Sequence, residues 1–355
     1  MSRLSSLLVI LFSLPGAFAE PAPSFTIGWS VYVGWNPYQY LARSGILKKW
    51  ADKYGVSIKV QRFDYAPSLD AFVAKNIDAC TMTNMEALDM PAAAGVDTTS
   101  VIVGDYSNGN DAVLVRHNLP LAQIPGKRVL LVEKTVSQYL FERALAINNL
   151  GNELKRVKYV NTSDSDIAGA FLSDASQEVV VTWKPLVSQI LKGKGIVSVF
   201  DSSRIPGEIL DLLVVRTQVL NRPDGSGQRF VKAVTGAWYE LLAQMAKPGV
   251  ESDKVLSGIA AASEDSLASY KEQLSTTHMF FTPQSAADFA ASQALKDTMG
   301  RVRQFCFQHG LLGEKTGSVD DVAVRFPDGA VAGKKDRVRL RFDPSYMQLA
   351  AGGKL

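Results

Sequence analysis

The chain has 355 residues, 46% of them hydrophobic and 21% charged, with a formal net charge of +3 at pH 7. That balance is ordinary for a globular protein and carries no polyelectrolyte run, which argues against nucleic acid as a partner. Two cysteines in a chain of this size exclude a disulfide scaffold, and the three histidines are not spaced as metal ligands.

The opening MSRLSSLLVILFSLPGAFAE carries Arg3, an apolar run at 7–14 and an Ala17-Phe18-Ala19 cleavage pattern. It reads as a signal peptide over 1–19, cut after Ala19 and too short to span a bilayer. No Cys follows the cut, so no lipid anchor is expected. The mature protein is expected to be exported, and periplasmic in a Gram-negative source. Its roughly 335 residues suffice for two domains of ordinary size.

A strand is expected at 25–30 and a loop at 31–37. Tyr38, Leu41, Ile46, Leu47 and Trp50 repeat at helical spacing, which predicts one helix over 38–54. A strand at 57–63 and a short helix at 68–75 follow. The stretch DACTMTNMEALDMPAAAG, 78–95, then passes from a strand through Thr81, Thr83 and Asn84 into a run with Met85, Leu88 and Met90 on one face. Thr83 or Asn84 would cap that helix. Its first-turn N–H groups would point out of the end of a strand, where open α/β sheets bind small ligands. An ordinary capped helix is the rival reading. Strands follow at 99–103 and 112–116, with the turn-rich DYSNGND, 105–111, between them.

The second unit repeats the theme. Strands are expected at 128–132, 157–160, 178–182, 196–200 and 209–216, and helices at 136–148, 167–172 and from Trp183-Lys184-Pro185 through 191. From 230 onward the pattern is mainly helical, closing with a strand at 338–342 and a helix at 345–350. Such alternation predicts an α/β fold with parallel sheets. The turn-rich passages 105–111 and 201–208 suggest two doubly wound lobes joined by two crossings, able to close like a hinge on a ligand.

No P-loop, G-x-G-x-x-G, H-E-x-x-H or G-x-S-x-G occurs, and Ser107 in GDYSNG lacks the nucleophile-elbow spacing. No catalytic residue, cofactor or metal is expected. The two cysteines could pair in an oxidising compartment. Cys80 at a strand end and Cys306 within the apolar pattern Val302-Phe305-Cys306-His309 read instead as buried free thiols. The strand-end loops are acidic and aromatic. They offer Asp64, Glu86, Asp105 and Asp111 beside Tyr32, Trp35, Tyr139 and Trp183, with Thr83, Asn84, Asn108 and Ser137 as polar partners. Carboxylates and aromatic faces suit a planar cation or a urea-like amide, since carboxylates take guanidinium forks and rings attract cations. Each acid has a plain rival role: Glu86 complements its helix dipole, and Asp64, Asp105 and Asp111 make turns.

The chain resembles the periplasmic substrate-binding proteins of ABC importers of the nitrate, sulfonate, taurine and thiamine-precursor type. Within them it is most similar to the subgroup that accompanies urea carboxylase-type enzymes and is associated with guanidine use. The resemblance rests on IGWSVYVGWNPYQYLARSGILKKWADKYG (27–55), CTMTNMEALDMPAAAGVD (80–97), VIVGDYSNGNDAV (101–113), NTSDSDIAGAF (161–171), FDSSRIPGEILDLLVV (200–215), TTHMFFTP (276–283) and RLRFDPSYM (339–347). It implies a type II periplasmic-binding fold, with a first lobe from 20–115 and 213–355 and a second lobe at 116–212. It also implies ligand contacts at Tyr32–Trp35, Thr83–Glu86, Ser137–Tyr139 and Trp183. The basic residues expected for an oxyanion are missing at those helix starts, which favours guanidinium or urea. Nitrate, a sulfonate or a pyrimidine-like thiamine precursor is the alternative ligand, and an enzyme on the same fold is the remote one. The implied partners are inner-membrane ABC permease subunits, with the protein itself a monomer.

Overall fold

The computed structural model describes residues 21–314 and 316–355, so the signal peptide expected over 1–19 lies outside the described residues. Two sheets organise the chain. The larger uses β1 (Ser24–Trp29), β2 (Ser57–Arg62), β3 (Ala79–Thr83) and β4 (Thr98–Ser107). After β4 the chain crosses to a second sheet of β5 (Asp111–Arg116), β6 (Arg128–Leu131), β7 (Lys158–Asn161), β8 (Val179–Trp183) and β9 (Ile196–Asp201). It then returns to the larger sheet as β10 (Leu210–Arg216), joined later by β11 (Thr277–Met279), β12 (Ala323–Arg325), β13 (Val331–Ala332) and β14 (Val338–Phe342). The orders are β13-β12-β14-β4-β10-β3-β1-β2, with β11 on β4, and β7-β6-β8-β5-β9.

The sheets are mixed, which corrects the expectation of parallel ones. β10 runs antiparallel to both β3 and β4, and β5 antiparallel to β8 and β9. A returning strand inserted between two others must reverse direction when it re-enters from the opposite lobe. The single helix expected over 38–54 is broken at Gly45, whose φ of 82° is left-handed, into Asn36–Ser44 and Ile46–Tyr54. The run after Thr83 forms only a short π-helix, Leu88–Ala92, with Pro91 inside it. Strand β4 continues to Ser107, so Asp105 sits in a ladder opposite Asp211 rather than in a turn. Strands β11 to β13 escape a periodicity reading because two or three residues carry no period.

One apolar cluster spans both sheets, from Phe25, Trp29 and Phe230 in the larger lobe to Leu140, Phe141 and Val181 in the smaller. A second cluster around Ile167, Phe171 and Ile190 covers the other face of the smaller sheet. Cys80 and Cys306 are both buried and free, and burial raises the Cys80 thiol to about 12. Among the described residues no helix is long and apolar enough to cross a membrane.

Candidate functional site

The chain reverses between the sheets at 107–111 and again at 201–210, and a cavity of about 300 Å³ opens where the strand ends of the two lobes face each other. The larger lobe contributes Tyr32, Trp35, Asp64, Tyr65, Thr83 and Asp211, and the smaller Asp111, Thr135, Asp164 and Trp183. The aromatic wall is continuous: the Trp35 ring lies 5.2 Å from Tyr32 and 5.3 Å from Tyr65. The Trp35 Nε1–H has no hydrogen-bond partner. Arg62 is the basic residue of the lining; it is exposed and donates to Glu264 at 2.9 Å.

Six of the twelve strand-end candidates line this cavity: Tyr32, Trp35, Asp64, Thr83, Asp111 and Trp183. Glu86 stands one layer back. It accepts from the Thr83 hydroxyl, from Tyr65 OH at 3.0 Å and, across the cleft, from the Val136 N–H at 3.4 Å. Burial raises its carboxyl, with those hydrogen bonds opposing the rise. Asp105 is also behind the wall, against Trp35 and Asp211.

The other four are used elsewhere. Asn84 is buried and clamps the second crossing, donating to Glu208 O at 3.2 Å and accepting from Leu210 N at 3.0 Å. The Asn108 N–H is held by Thr276 O at 3.0 Å, away from the cavity. Ser137 is fully buried and lies outside the cavity lining; its N–H is capped by the Thr135 hydroxyl at 3.2 Å. Tyr139 points its hydroxyl at Glu208, 2.6 Å away. In each case the spacing placed the residue at a strand end or helix start, and the tertiary fold engaged it elsewhere: Asn84 and Tyr139 by their side chains at the second crossing, Asn108 and Ser137 by their backbone N–H groups.

The electrostatics of the cleft come from three buried carboxyls. Asp111 lines the cavity and accepts from Ser107 Oγ at 2.5 Å; burial pushes it up to about 7. Asp211 was hidden inside LDLLVV, the strand read as buried; a lone acid in such a run is the signal that could have found it. It faces Asp105 across the ladder. Burial pushes both upward, Asp105 to about 7, and the Asp105 charge pushes Asp211 further. Neither Asp105 oxygen has a donor within reach, and neither has Asp211 Oδ2. Two adjacent carboxylates offer each other only acceptors; one shared proton turns the contact into a hydrogen bond.

Gly34 makes room for the pair. A Cβ there would stand 2.7 Å from Asp105 Cγ and nearer still to Oδ2. Gly34→Ala is therefore expected to cost about 1–3 kcal/mol of overpacking and to push the carboxyl out of register with Asp211. A denaturant midpoint equal to wild type would sink this prediction.

Among the described residues no cluster of three or more His, Cys, Asp or Glu side chains forms a metal site. No family model and no curated protein matches the sequence. Solved structures do match the fold. The alkanesulfonate-binding protein SsuA of Xanthomonas axonopodis pv. citri, bound to MOPS, is 16% identical with a TM-score of 0.65, over 83% of this chain and 96% of that one. The periplasmic aliphatic sulphonate binding protein SsuA of Escherichia coli is 17% identical with a TM-score of 0.63, over 81% and 88%. A desulfurization enzyme, DSZB, is 16% identical with a TM-score of 0.53, over 81% and 93%. The chain has the α/β periplasmic-binding fold: two lobes, two crossings and a cleft between strand ends.

Proposed function

We propose that this is the exported, periplasmic solute-binding component of an ABC importer, and that it binds a small nitrogen compound of guanidinium or urea type for delivery to a membrane permease. Lobe I would comprise the chain through β4 and from β10 onward, and lobe II β5 to β9, so Asp111–Val115 fall in lobe II and Leu210–Leu212 in lobe I, which corrects the expected boundary at 116–212. The observation that carries the ligand class is the cleft itself, with Asp111 and Asp211 in its wall, Asp105 behind, and Tyr32, Trp35, Tyr65 and Trp183 presenting aromatic surface. Buried acids without cationic partners are stabilised by a ligand that brings positive charge or N–H donors, and aromatic faces attract the same species. Trp35, Tyr32 and Trp183 would stack, Asp111 and Asp211 would take N–H groups, and Glu86 would brace Thr83 and Tyr65 behind them.

A sulfonate is the second reading. The names of two structural neighbours favour it, as does Arg62 at the mouth. The acids oppose it, because an anion would sit against them. The DSZB likeness keeps enzyme chemistry in view, although the sequence carries no nucleophile-elbow, H-E-x-x-H or P-loop motif. Calorimetric titration of the protein with guanidinium, urea, taurine and nitrate is expected to give heat with guanidinium or urea. Saturable binding of taurine or nitrate alone would overturn the ligand class, and consumption of a bound compound over hours would overturn the binding-protein reading.

A further inference from the structure

We propose that Asp211, with Asp105 behind it, is the charge-selecting element of the cleft: the pair holds one shared proton when the cleft is empty and gives it up to solvent as a monocation enters. The inference rests on the reading of the cleft as a site for a cationic nitrogen compound. One proton leaves as one positive charge arrives, so the charge of the cleft is the same before and after.

The geometry carries it. Asp105 on β4 and Asp211 on β10 are register partners, 0% and 3% exposed. Asp211 is in the cavity wall, and its Oδ2 has no hydrogen-bond partner. Trp35 Nε1, in the same wall and 5% exposed, also has none. The Trp35 donor gives the ligand a place for an acceptor beside its cationic N–H groups, which fits a substituted guanidine or amidine with a carbonyl or hydroxyl better than bare guanidinium. A cavity of about 300 Å³ allows such a substituent.

The groups that face the pair supply no compensating charge. Tyr32 precedes the first helix and its hydroxyl lies beside Asp211; Tyr38 and Tyr270 face Asp105; Tyr65 faces Asp211. These phenols are neutral at neutral pH. Asp111 on β5 adds a further negative charge, and Glu86 stands behind it. Among the described residues no Lys, Arg or His makes an ion pair with Asp105 or Asp211. Two ionised carboxylates side by side in such a place repel strongly, so the empty pair keeps a proton, and a ligand cation replaces it.

Two measurements on the mature protein decide it. Carbon-13 NMR of the aspartate carboxyls is expected to show one titration from this pair near or above neutral pH without ligand, removed in Asp105→Asn and in Asp211→Asn. If both carboxyls titrate below pH 5, the shared proton is overturned whatever the ligand proves to be. Titration calorimetry with guanidinium and 2-guanidinoethanol at pH 6.5, in phosphate and in Bis-Tris, is expected to show about one proton released per ligand bound, and about 100-fold weaker binding to Asp211→Asn. Binding with no proton release, or with affinity unchanged in Asp211→Asn, overturns the exchange while leaving a cation-binding cleft. Binding of taurine alone overturns the functional reading, and the NMR titration then still decides the proton.

Discussion

Glu208→Ala is expected to lower the free energy of unfolding by about 3 kcal/mol. Glu208 sits in the second crossing with a side chain only 8% exposed. It accepts from Tyr139 OH at 2.6 Å and from Arg143 Nε and Nη2 at 2.7 and 2.9 Å, with Arg301 Nε at 3.3 Å. Tyr139 and Arg143 belong to the helix Val136–Ile147 of one lobe, and Arg301 to Gln293–Gln308 of the other. Removal therefore strands charges in both lobes and unties them at the hinge. Arg143 and Arg301 are 25% and 42% exposed, so water recovers part of the loss and keeps the figure at the low end for a buried pair. Burial alone would raise the Glu208 carboxyl, but hydrogen bonds from Arg143 and Tyr139 and the charges of Arg143 and Arg301 hold it below the usual range. A depressed folded value means that the stabilisation is present above the unfolded value near 4.3 and lost as pH falls through the folded one. The difference between wild type and Glu208→Ala in urea should thus be full at pH 7 and shrink below pH 4. A loss under 1 kcal/mol at pH 7, or one unchanged at pH 3.5, would refute this account. Glu208→Gln keeps the tyrosine hydrogen bond and should lose less.

Asp105→Asn is expected to act in the opposite direction, stabilising the ligand-free protein at pH 8 by about 2 kcal/mol. Asp105 and Asp111 rise to about 7 on folding, and Asp211 rises further than an ordinary carboxyl. Below about pH 4 both the folded and the unfolded chain hold these protons, and burial costs little extra. Between about 4 and 7 the unfolded chain ionises while the folded one keeps the protons, so stability falls with rising pH. Above 7 the buried charges are in place and the loss is complete. An Asn at 105 removes one of those charges and donates Nδ2–H to Asp211. The stability difference between Asp105→Asn and wild type should therefore be smallest below pH 4 and grow in favour of the variant up to pH 8. Comparing the two chains cancels the contributions of Glu142 and Glu208, whose lowered values run the other way. A variant that is less stable at pH 8, or a difference flat from pH 5 to 8, would show that the carboxyl is balanced by a partner.

The hinge and the cleft also differ in how they hold the lobes together. On one side Lys184 pairs with Glu272 and also donates to Thr276 at 2.9 Å. On the other, Glu142 meets His309 at 2.9 Å. Glu86 reaches the Val136 N–H between them. The two lobes are thus tied by polar contacts that do not use Asp105, Asp111 or Asp211.

Much of the architecture was legible because apolar periodicity reports local geometry. Strand β14 falls at 338–342 as its alternation required, and the helix Val136–Ile147 lies within one residue of its expected span. The acid-and-aromatic character of the strand-end loops was equally visible in Tyr32, Trp35, Asp64 and Trp183. Which side chains face the cavity was not. Asn84, Asn108, Ser137 and Tyr139 share the composition of ligand contacts, yet none lines the cavity, and Asn84 and Tyr139 spend their side-chain hydrogen bonds on the second crossing.

By itself, then, the sequence determined the alternation of strands and helices, the two crossings, the missing catalytic motifs and the sign of the charge near the cleft, because each is written in short-range pattern or composition. Only the tertiary structure decided that β10 runs back between β3 and β4. That single antiparallel insertion sets Asp211 opposite Asp105 and into the cavity wall, 106 positions apart in sequence. The partner of a buried charge is chosen by sheet register, and register between distant strands leaves no local trace.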